Sequence, residues 1–325
     1  MKLASILLVS TLALLAMPAA GAGQEPGKTP RIGYVRSGSP ATDPYRDSLL
    51  RGLRDLGYVD GRSVAIEFRY YGDDAAATTQ LMNDLVRSKV DVIVAGGTHA
   101  IRAAQRATET IPIVMLAADP QRSGFVAGLA RPGGNITGVA VLSTELVGKR
   151  LQLLKEAMPG AIRVALLQHP DNPSHSTILK ELGADAQSLG LTLRAFEVSR
   201  SEDFPSAFGA MAEWPADVAV ALDDSTFIAN RVPLANTAAR QSLPLVCGFR
   251  EMTEAGCLIS YAVDLREMYY RMAKYVDKII KGAKPAELPV EQPMQFELVI
   301  NLKAAKALGV TIPPTLLARA EEVIE

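Results

Sequence analysis

The sequence predicts an α/β protein built as two doubly wound parallel-sheet lobes joined by a hinge. Three observations predict it. Short apolar, largely β-branched runs such as Val92 to Ala95 alternate with helical periodicities along nearly the whole chain. Most of these runs lack polar alternation, which fits strands buried on both faces of a parallel sheet. The strand–polar loop–helix unit recurs in two successive sets, one on each side of about residue 142, and the length fits about two domains.

The chain begins with Lys2, an apolar stretch from Leu3 to Met17 and a small-x-small site at Ala20-Gly21-Ala22. That is the pattern of a cleaved export signal over residues 1–22. No Cys follows the site, so a soluble periplasmic product without a lipid anchor is expected. No later apolar run approaches the roughly 20 residues of a membrane span. Beyond the leader, 33 basic residues face 35 acidic ones, a balance that argues against a nucleic-acid partner.

In the first set, Ile32 to Val35 reads as a buried strand that opens into the polar loop Arg36-Ser37-Gly38-Ser39-Pro40. Tyr45, Leu49, Leu53 and Leu56 follow at helical spacing, with Gly57 as the stop. Val64 to Tyr70 alternates as a half-exposed strand, and Asp74 starts a helix carrying Leu81, Leu85 and Val86. Val92 to Ala95 then ends at Gly96-Gly97, with Thr98 at the expected N-cap of a helix through Ala107. Two glycines allow a ligand close to the backbone, and the helix start offers free N–H groups to an anion. Ile111 to Leu116 ends in Ala117-Ala118-Asp119-Pro120, and Ile136 to Val141 closes the set.

In the second set, a helix capped at Thr144 runs to Pro159, and Val164 to Leu167 ends in the loop His169 to Pro173. A helix from Ser174 to Gly190, a strand Leu191 to Val198 and a helix Phe204 to Trp214 follow. Val218 to Leu222 ends in Asp223-Asp224-Ser225-Thr226, and one helix is expected from there to Gln241. Leu245 to Cys247 precedes a turn at Gly248-Phe249, and Leu258 to Tyr261 is another strand. A helix from Leu265 to Lys281, a last strand Phe296 to Ile300 and helices at Leu302 to Leu308 and Pro314 to Val323 complete the chain. Ligands of such sheets bind at the carboxyl ends of the strands, where these polar loops lie.

No catalytic constellation is present. His99, His169 and His175 lack metal-ligand spacing, no Gly-x-Ser-x-Gly elbow occurs, and Gly33 to Gly38 does not match a dinucleotide fingerprint. His169 and His175 read as surface or loop residues, and Tyr70-Tyr71 and Tyr269-Tyr270 as packing. The expectation is therefore no enzyme, no cofactor and no metal. Cys247 and Cys257 fit either a disulfide or two buried apolar thiols, and they should lie at neighbouring strand ends.

Several stretches resemble one family. They are Arg131-Pro132-Gly133-Gly134-Asn135-Ile136-Thr137-Gly138, Val94-Ala95-Gly96-Gly97-Thr98, Arg250-Glu251-Met252-Thr253-Glu254-Ala255-Gly256 and the segment Phe296 to Gly309. From about Arg31 to Glu325 the chain resembles the ABC-transporter substrate-binding proteins of the tryptophan/tyrosine type, which have a type I periplasmic-binding fold. The resemblance implies a monomeric receptor that closes its lobes on a small ligand and hands it to an ABC permease in the inner membrane. An amino acid is the favoured ligand, and a ligand-sensing domain serving a signalling partner is the alternative. Lobe 1 would span residues 30–142 plus about 262–290, and lobe 2 residues 143–261 plus about 291–325. By position, the ligand loops would include Ser37, Gly97, Thr98, Asp119, His169, Asn172, Asp223 and Phe249. Gly97-Thr98 would cradle the ligand's carboxylate, and Asp119 or Asp223 would meet its ammonium; otherwise Asp119 is a turn residue and Asp223 a helix cap. The chain departs from the pattern at His169, where Asn is common, and at Cys257 and Ala262, where Gly is common.

Overall fold

A computed structural model of the protein describes residues 29–72, 74–141 and 143–325, without the side chains of residues 75 and 144. The expected leader, residues 1–22, lies outside the described residues. Lobe 1 begins with β1 (Arg31–Ser37), α1 (Arg46–Asp55), β2 (Ala65–Tyr71) and α2 (Ala75–Arg87). β3 (Val92–Gly96), α3 (Thr98–Ala107), β4 (Ile113–Ala118) and β5 (Ile136–Val141) follow. The sheet order is β2-β1-β3-β4-β5, with every pair parallel. β3, β4 and β5 are buried almost throughout, as continuous apolar runs require in a doubly covered sheet.

Lobe 2 contains α4 (Ser143–Ala157), β6 (Arg163–Gln168), α5 (Pro173–Ser188), β7 (Thr192–Glu197), α6 (Phe204–Glu213) and β8 (Val218–Ala221). Next come α7 (Ser225–Ala229), α8 (Arg231–Arg240), β9 (Leu245–Cys247), α9 (Arg250–Glu254) and β10 (Ile259–Ala262). The chain then forms α10 (Leu265–Ile280), which packs against α1 and the first sheet in lobe 1. It returns through β11 (Glu297–Asn301), α11 (Leu302–Ala307), α12 (Pro314–Leu317) and β12 (Glu322–Ile324) to the second sheet. That sheet runs β12-β11-β10-β9-β8-β6-β7. Its β7-β6-β8-β9-β10 portion repeats the order of the first sheet, so each lobe reverses direction once: between β1 and β3, and between β6 and β8. Such reversals open crevices at the strands' carboxyl ends.

Three expectations are corrected. The second sheet is not wholly parallel, because β11 runs antiparallel to β10. The helix expected from Pro314 to Val323 stops at Leu317, and Glu322 to Ile324 pairs with β11 as a strand edge. The single helix after β8 is two helices, α7 and α8, divided at Asn230, whose backbone is not helical (φ −104°, ψ 27°). Pro233 lies in the first turn of α8, where its missing N–H removes no helical bond.

Cys247 and Cys257 are disulfide-bonded, with Cα atoms 6.4 Å apart. The bond joins the end of β9 to the segment entering β10.

Candidate functional site

The crevices of the two sheets meet in one small cavity of about 60 Å³. Lobe 1 supplies Arg36 from β1, Gly96 to Thr98 from the β3–α3 junction, and the ends of β4 and β5. Lobe 2 supplies Ser143, Asn172 from the loop after β6, Asp223 to Ser225 from the loop after β8, and Phe249. Leu265 and Tyr269 of α10 complete the wall.

Five of the eight residues expected at the site line this cavity: Gly97, Thr98, Asn172, Asp223 and Phe249. Ser37 and Asp119 do not, and His169 lines a neighbouring cleft instead. Ser37 is the buried last residue of β1. Asp119 takes a left-handed backbone (φ 42°) and serves the turn before Pro120, where its carbonyl accepts from the Ser123 N–H at 2.9 Å.

The N-cap of α3 is Gly97 rather than Thr98 (φ 91°, no side-chain cap), so the first-turn N–H groups have no partner within the helix. Gly97 is required twice over. An L side chain resists that φ, and a Cβ would lie 2.8 Å from the Ser225 Cβ of the facing lobe. At Gly96 a Cβ would collide with the Tyr269 phenol oxygen, so the glycine lets α10 bring that phenol to the sheet.

The loop after β8 holds two adjacent carboxylates with different partners. Asp223 is bound by Arg150 of α4 through Nη1–Oδ1 and Nη2–Oδ2, both 2.9 Å, and by the Ser143 hydroxyl at 2.9 Å. Arg150 is fully buried and also donates from Nε to the Tyr261 carbonyl at 2.9 Å. Asp223 is thus neutralised, and the helix cap here is its neighbour. Asp224 Oδ1 accepts from the Thr226 N–H at 2.8 Å, and Oδ2 accepts from Asn172 Nδ2 at 2.8 Å. Asn172 is held in turn by capping α5, where its Oδ1 accepts from the Ser174 N–H at 3.1 Å. Asp224 is buried, and among the described residues no Arg or Lys pairs with it. Burial pushes its carboxyl up, but His99, His175, His169 and the Asn172 amide together hold it below the usual range.

Lobe 1 carries its own buried cation. Arg36 Nε lies 3.4 Å from Asp43 Oδ1, Nη1 donates to the Tyr269 phenol at 2.7 Å, and the guanidinium sits 4.1 Å from the centre of the Tyr45 ring. Tyr45 and Tyr269 stack at 4.9 Å with their planes 4° apart. The sequence reading missed this aromatic set, and it missed Arg36, Ser143, Asp224, Ser225 and Arg150. A usable signal existed for Asp224: Asp-Ser-Thr directly after a strand reads as a cap at Asp224 as readily as at Asp223. Of the two histidines expected on the surface or in loops, His169 keeps its loop position and His175 lies in α5, and both are buried, at 6% and 1% exposure.

The lobes touch around the cavity. Tyr71 Oη lies 3.4 Å from Ser225 Oγ, Ser123 Oγ lies 3.3 Å from Ser174 Oγ, and Arg231 Nη1 donates to the Thr42 carbonyl at 3.0 Å. Two crevices facing each other across a small, closed, mixed polar and apolar chamber define a two-lobed solute receptor. Residues 36–324 match the family described as ABC transporter substrate binding protein, and the chain belongs to that family. It is 24% identical over 270 residues to the tyrosine-binding protein of Clostridioides difficile (strain R20291), covering 83% of this chain and 77% of that one. It is similar to the ABC domain in complex with L-Trp from Streptococcus pneumonia, with 28% identity, a TM-score of 0.85, and 91% and 100% of the two chains covered. A conserved domain protein from Vibrio cholerae O1 biovar El Tor is 31% identical, with a TM-score of 0.83 over 91% and 100%. The architecture is the type I periplasmic-binding fold, and the protein is an extracytoplasmic substrate-binding receptor of an ABC transporter.

Proposed function

We propose that this receptor captures a free amino acid with a large apolar or aromatic side chain. The observation that carries the reading is Asp224, a buried carboxylate without an Arg or Lys partner, set in lobe 2 across the cavity from the N-terminus of α3 in lobe 1. An α-ammonium group would meet Asp224, and an α-carboxylate would meet the N–H groups after Gly97. The remaining wall is largely apolar, from Leu116, Val141, Ile228, Phe249 and Leu265, and suits the side chain. The relatives that bind tyrosine and L-Trp support the same class.

Binding joins groups from both lobes, so the ligand itself completes closure. The hinge lies where the chain passes between lobes: near residue 142, near 262–265 and between 290 and 297. Lobe 1 then comprises residues 30–142 plus about 262–290, and lobe 2 residues 143–261 plus about 291–325. The protein works in the periplasm as a monomer, exported by its leader. It carries out no chemistry and contacts no nucleic acid. It passes the ligand to the permease.

Calorimetric titration with L-tryptophan, L-tyrosine and L-phenylalanine, with glucose and adenosine as controls, tests the reading. A micromolar dissociation constant for at least one aromatic amino acid is expected, equivalent to about −8 kcal/mol. Binding of a sugar or nucleoside with no response to amino acids would overturn it.

A further inference from the structure

All three histidines of the chain meet at one point of the lobe interface. His99 belongs to the first turn of α3 in lobe 1. Its ring stands edge-on to that of His169 in lobe 2, with centroids 4.6 Å apart. The His169 N–H donates to Nδ1 of His175 at 2.9 Å. These three rings help to hold down the carboxyl of Asp224 in the loop after β8.

The three rings are not equivalent. His175 Nδ1 accepts a hydrogen bond and its Nε2 donates to the Asp223 carbonyl at 3.2 Å, which is a fully used neutral tautomer. A further proton would sit where the His169 N–H already points, and burial lowers the affinity of His175 for it. His169 is held in the same way, accepting at Nδ1 from the Asp171 N–H at 3.2 Å and donating from Nε2 to the Ser199 carbonyl at 3.1 Å. His99 differs, because its Nε2 is buried without a hydrogen-bond partner. Its ring borders the neighbouring cleft, which is also lined by His169, Asp171, Arg102 and Arg106.

We infer that His99, whose Nε2 is buried without a hydrogen-bond partner where the lobes meet, is a proton-operated brake on lobe closure. This rests on the proposal that the ligand closes the lobes. When the lobes part, the His99 ring enters water and takes the ordinary histidine value of about 6.5. In the closed state, burial pushes it down; Asp224 opposes that push, His169 adds to it, Asp171 opposes and Arg102 adds. The closed state therefore binds fewer protons than the open one. Closure is unpenalised above the open-state value and is lost progressively as pH falls through it.

Titration of L-tryptophan at pH 7.5, 6.5 and 5.5 tests the inference with the native chain and His99→Gln. One linked proton predicts about a tenfold rise in dissociation constant for the native chain between the first and last pH. His99→Gln should change by less than twofold, whatever its affinity at pH 7.5. An equal pH dependence in the two proteins overturns the inference. NMR of the three rings in the native chain gives an independent reading. His99 should titrate near its ordinary value without ligand and at lower pH once L-tryptophan is bound, and identical curves would overturn the inference. If no amino acid binds at pH 7.5, the ligand proposal has failed by itself. The brake is then judged in a Ser123→Cys, Ser174→Cys variant, whose disulfide locks the lobes together where the two hydroxyls lie 3.3 Å apart. His99 should titrate at lower pH in the oxidised form than in the reduced form, and identical curves overturn the inference.

Discussion

The two walls of the cavity handle buried charge differently. In lobe 1, Arg36 faces Asp43 at 3.4 Å and lies over the Tyr45 ring, so cation and anion balance within one wall. In lobe 2, Arg150 answers Asp223 at 2.9 Å, but the adjacent Asp224 has no Arg or Lys partner among the described residues. Glu251 of α9 is also buried, but it faces Arg266 of α10 at 3.3 Å and Tyr45 of lobe 1. Burying a carboxylate unpaired is costly, and the protein meets part of that cost with the Thr226 N–H and the Asn172 amide. The imbalance is what a receptor for a cationic group requires. Lobe 1 offers a helix terminus and a rigid aromatic floor, while lobe 2 offers a net negative charge. A zwitterion is complementary to both only when the lobes are together.

The largest expected effect comes from disturbing the balanced pair of lobe 2. Arg150→Met strands Asp223 in the interior and should lower stability by about 3–5 kcal/mol, read from urea unfolding. Arg150→Met with Asp223→Asn should recover most of that loss, since removing both partners removes the stranded charge. If the double variant is as unstable as the single, the pair is not what sets the stability of this wall.

Asp224→Asn acts on the imbalance itself. Asparagine caps a helix as well as aspartate does, so α7 keeps its start while the charge is lost. Affinity for the bound amino acid should fall by about 2–4 kcal/mol, a loss of roughly 30-fold or more by calorimetry. Asp119→Asn should leave it unchanged. The reverse result would move the ammonium site to the loop after β4.

Gly97→Ala asks whether the lobes must approach so closely. The alanine would sit at φ 91° with its Cβ 2.8 Å from the Ser225 Cβ. A penalty of about 1–2 kcal/mol is expected, concentrated in the closed state. The ligand-bound protein should show a larger radius of gyration by scattering and roughly tenfold weaker binding. Unchanged closure would show that the Gly97–Ser225 contact is incidental.

The fold was legible because buried parallel strands leave uninterrupted runs such as Val92 to Gly96, and polar loops mark their carboxyl ends. The terminal strand β12 was not legible. Its Glu-Val-Ile is too short to show a period, and only pairing with β11 makes it a strand. The site was legible at Gly97, Asn172 and Asp223 as loop positions, but not in the roles within it. Nothing local says that Arg150, 73 residues before Asp223, will neutralise that carboxylate and leave Asp224 exposed to the cavity. The stack of Tyr45 on Tyr269 joins α10 to the segment before α1, a contact between distant parts of the chain that spacing does not encode. His169 and His175 looked superficial because loop position was taken for exposure, whereas their rings turn inward to the Ser199 and Asp223 carbonyls of the same lobe.

The smallest effect concerns the rim, where the two walls meet outside the cavity. Arg122, in the loop after β4 of lobe 1, donates from Nη1 to both oxygens of Glu181 on α5 of lobe 2, at 2.7 and 2.8 Å. The side chains are 49% and 46% exposed, so water and salt screen the pair. Such a pair contributes about 0.2–1 kcal/mol. Unlike the charges inside, it exists only when the lobes are closed. Glu181→Gln should therefore weaken ligand binding about twofold at low ionic strength and leave the urea midpoint of the ligand-free protein nearly unchanged. Raising the salt to about 0.5 M should erase the difference from the native chain, because the screening length then falls well below about 8 Å. A loss of affinity that survives high salt would mean that the rim contact holds the lobes by shape rather than by charge. The division of roles would then fail at its edge: the charge that favours closure would be confined to the cavity.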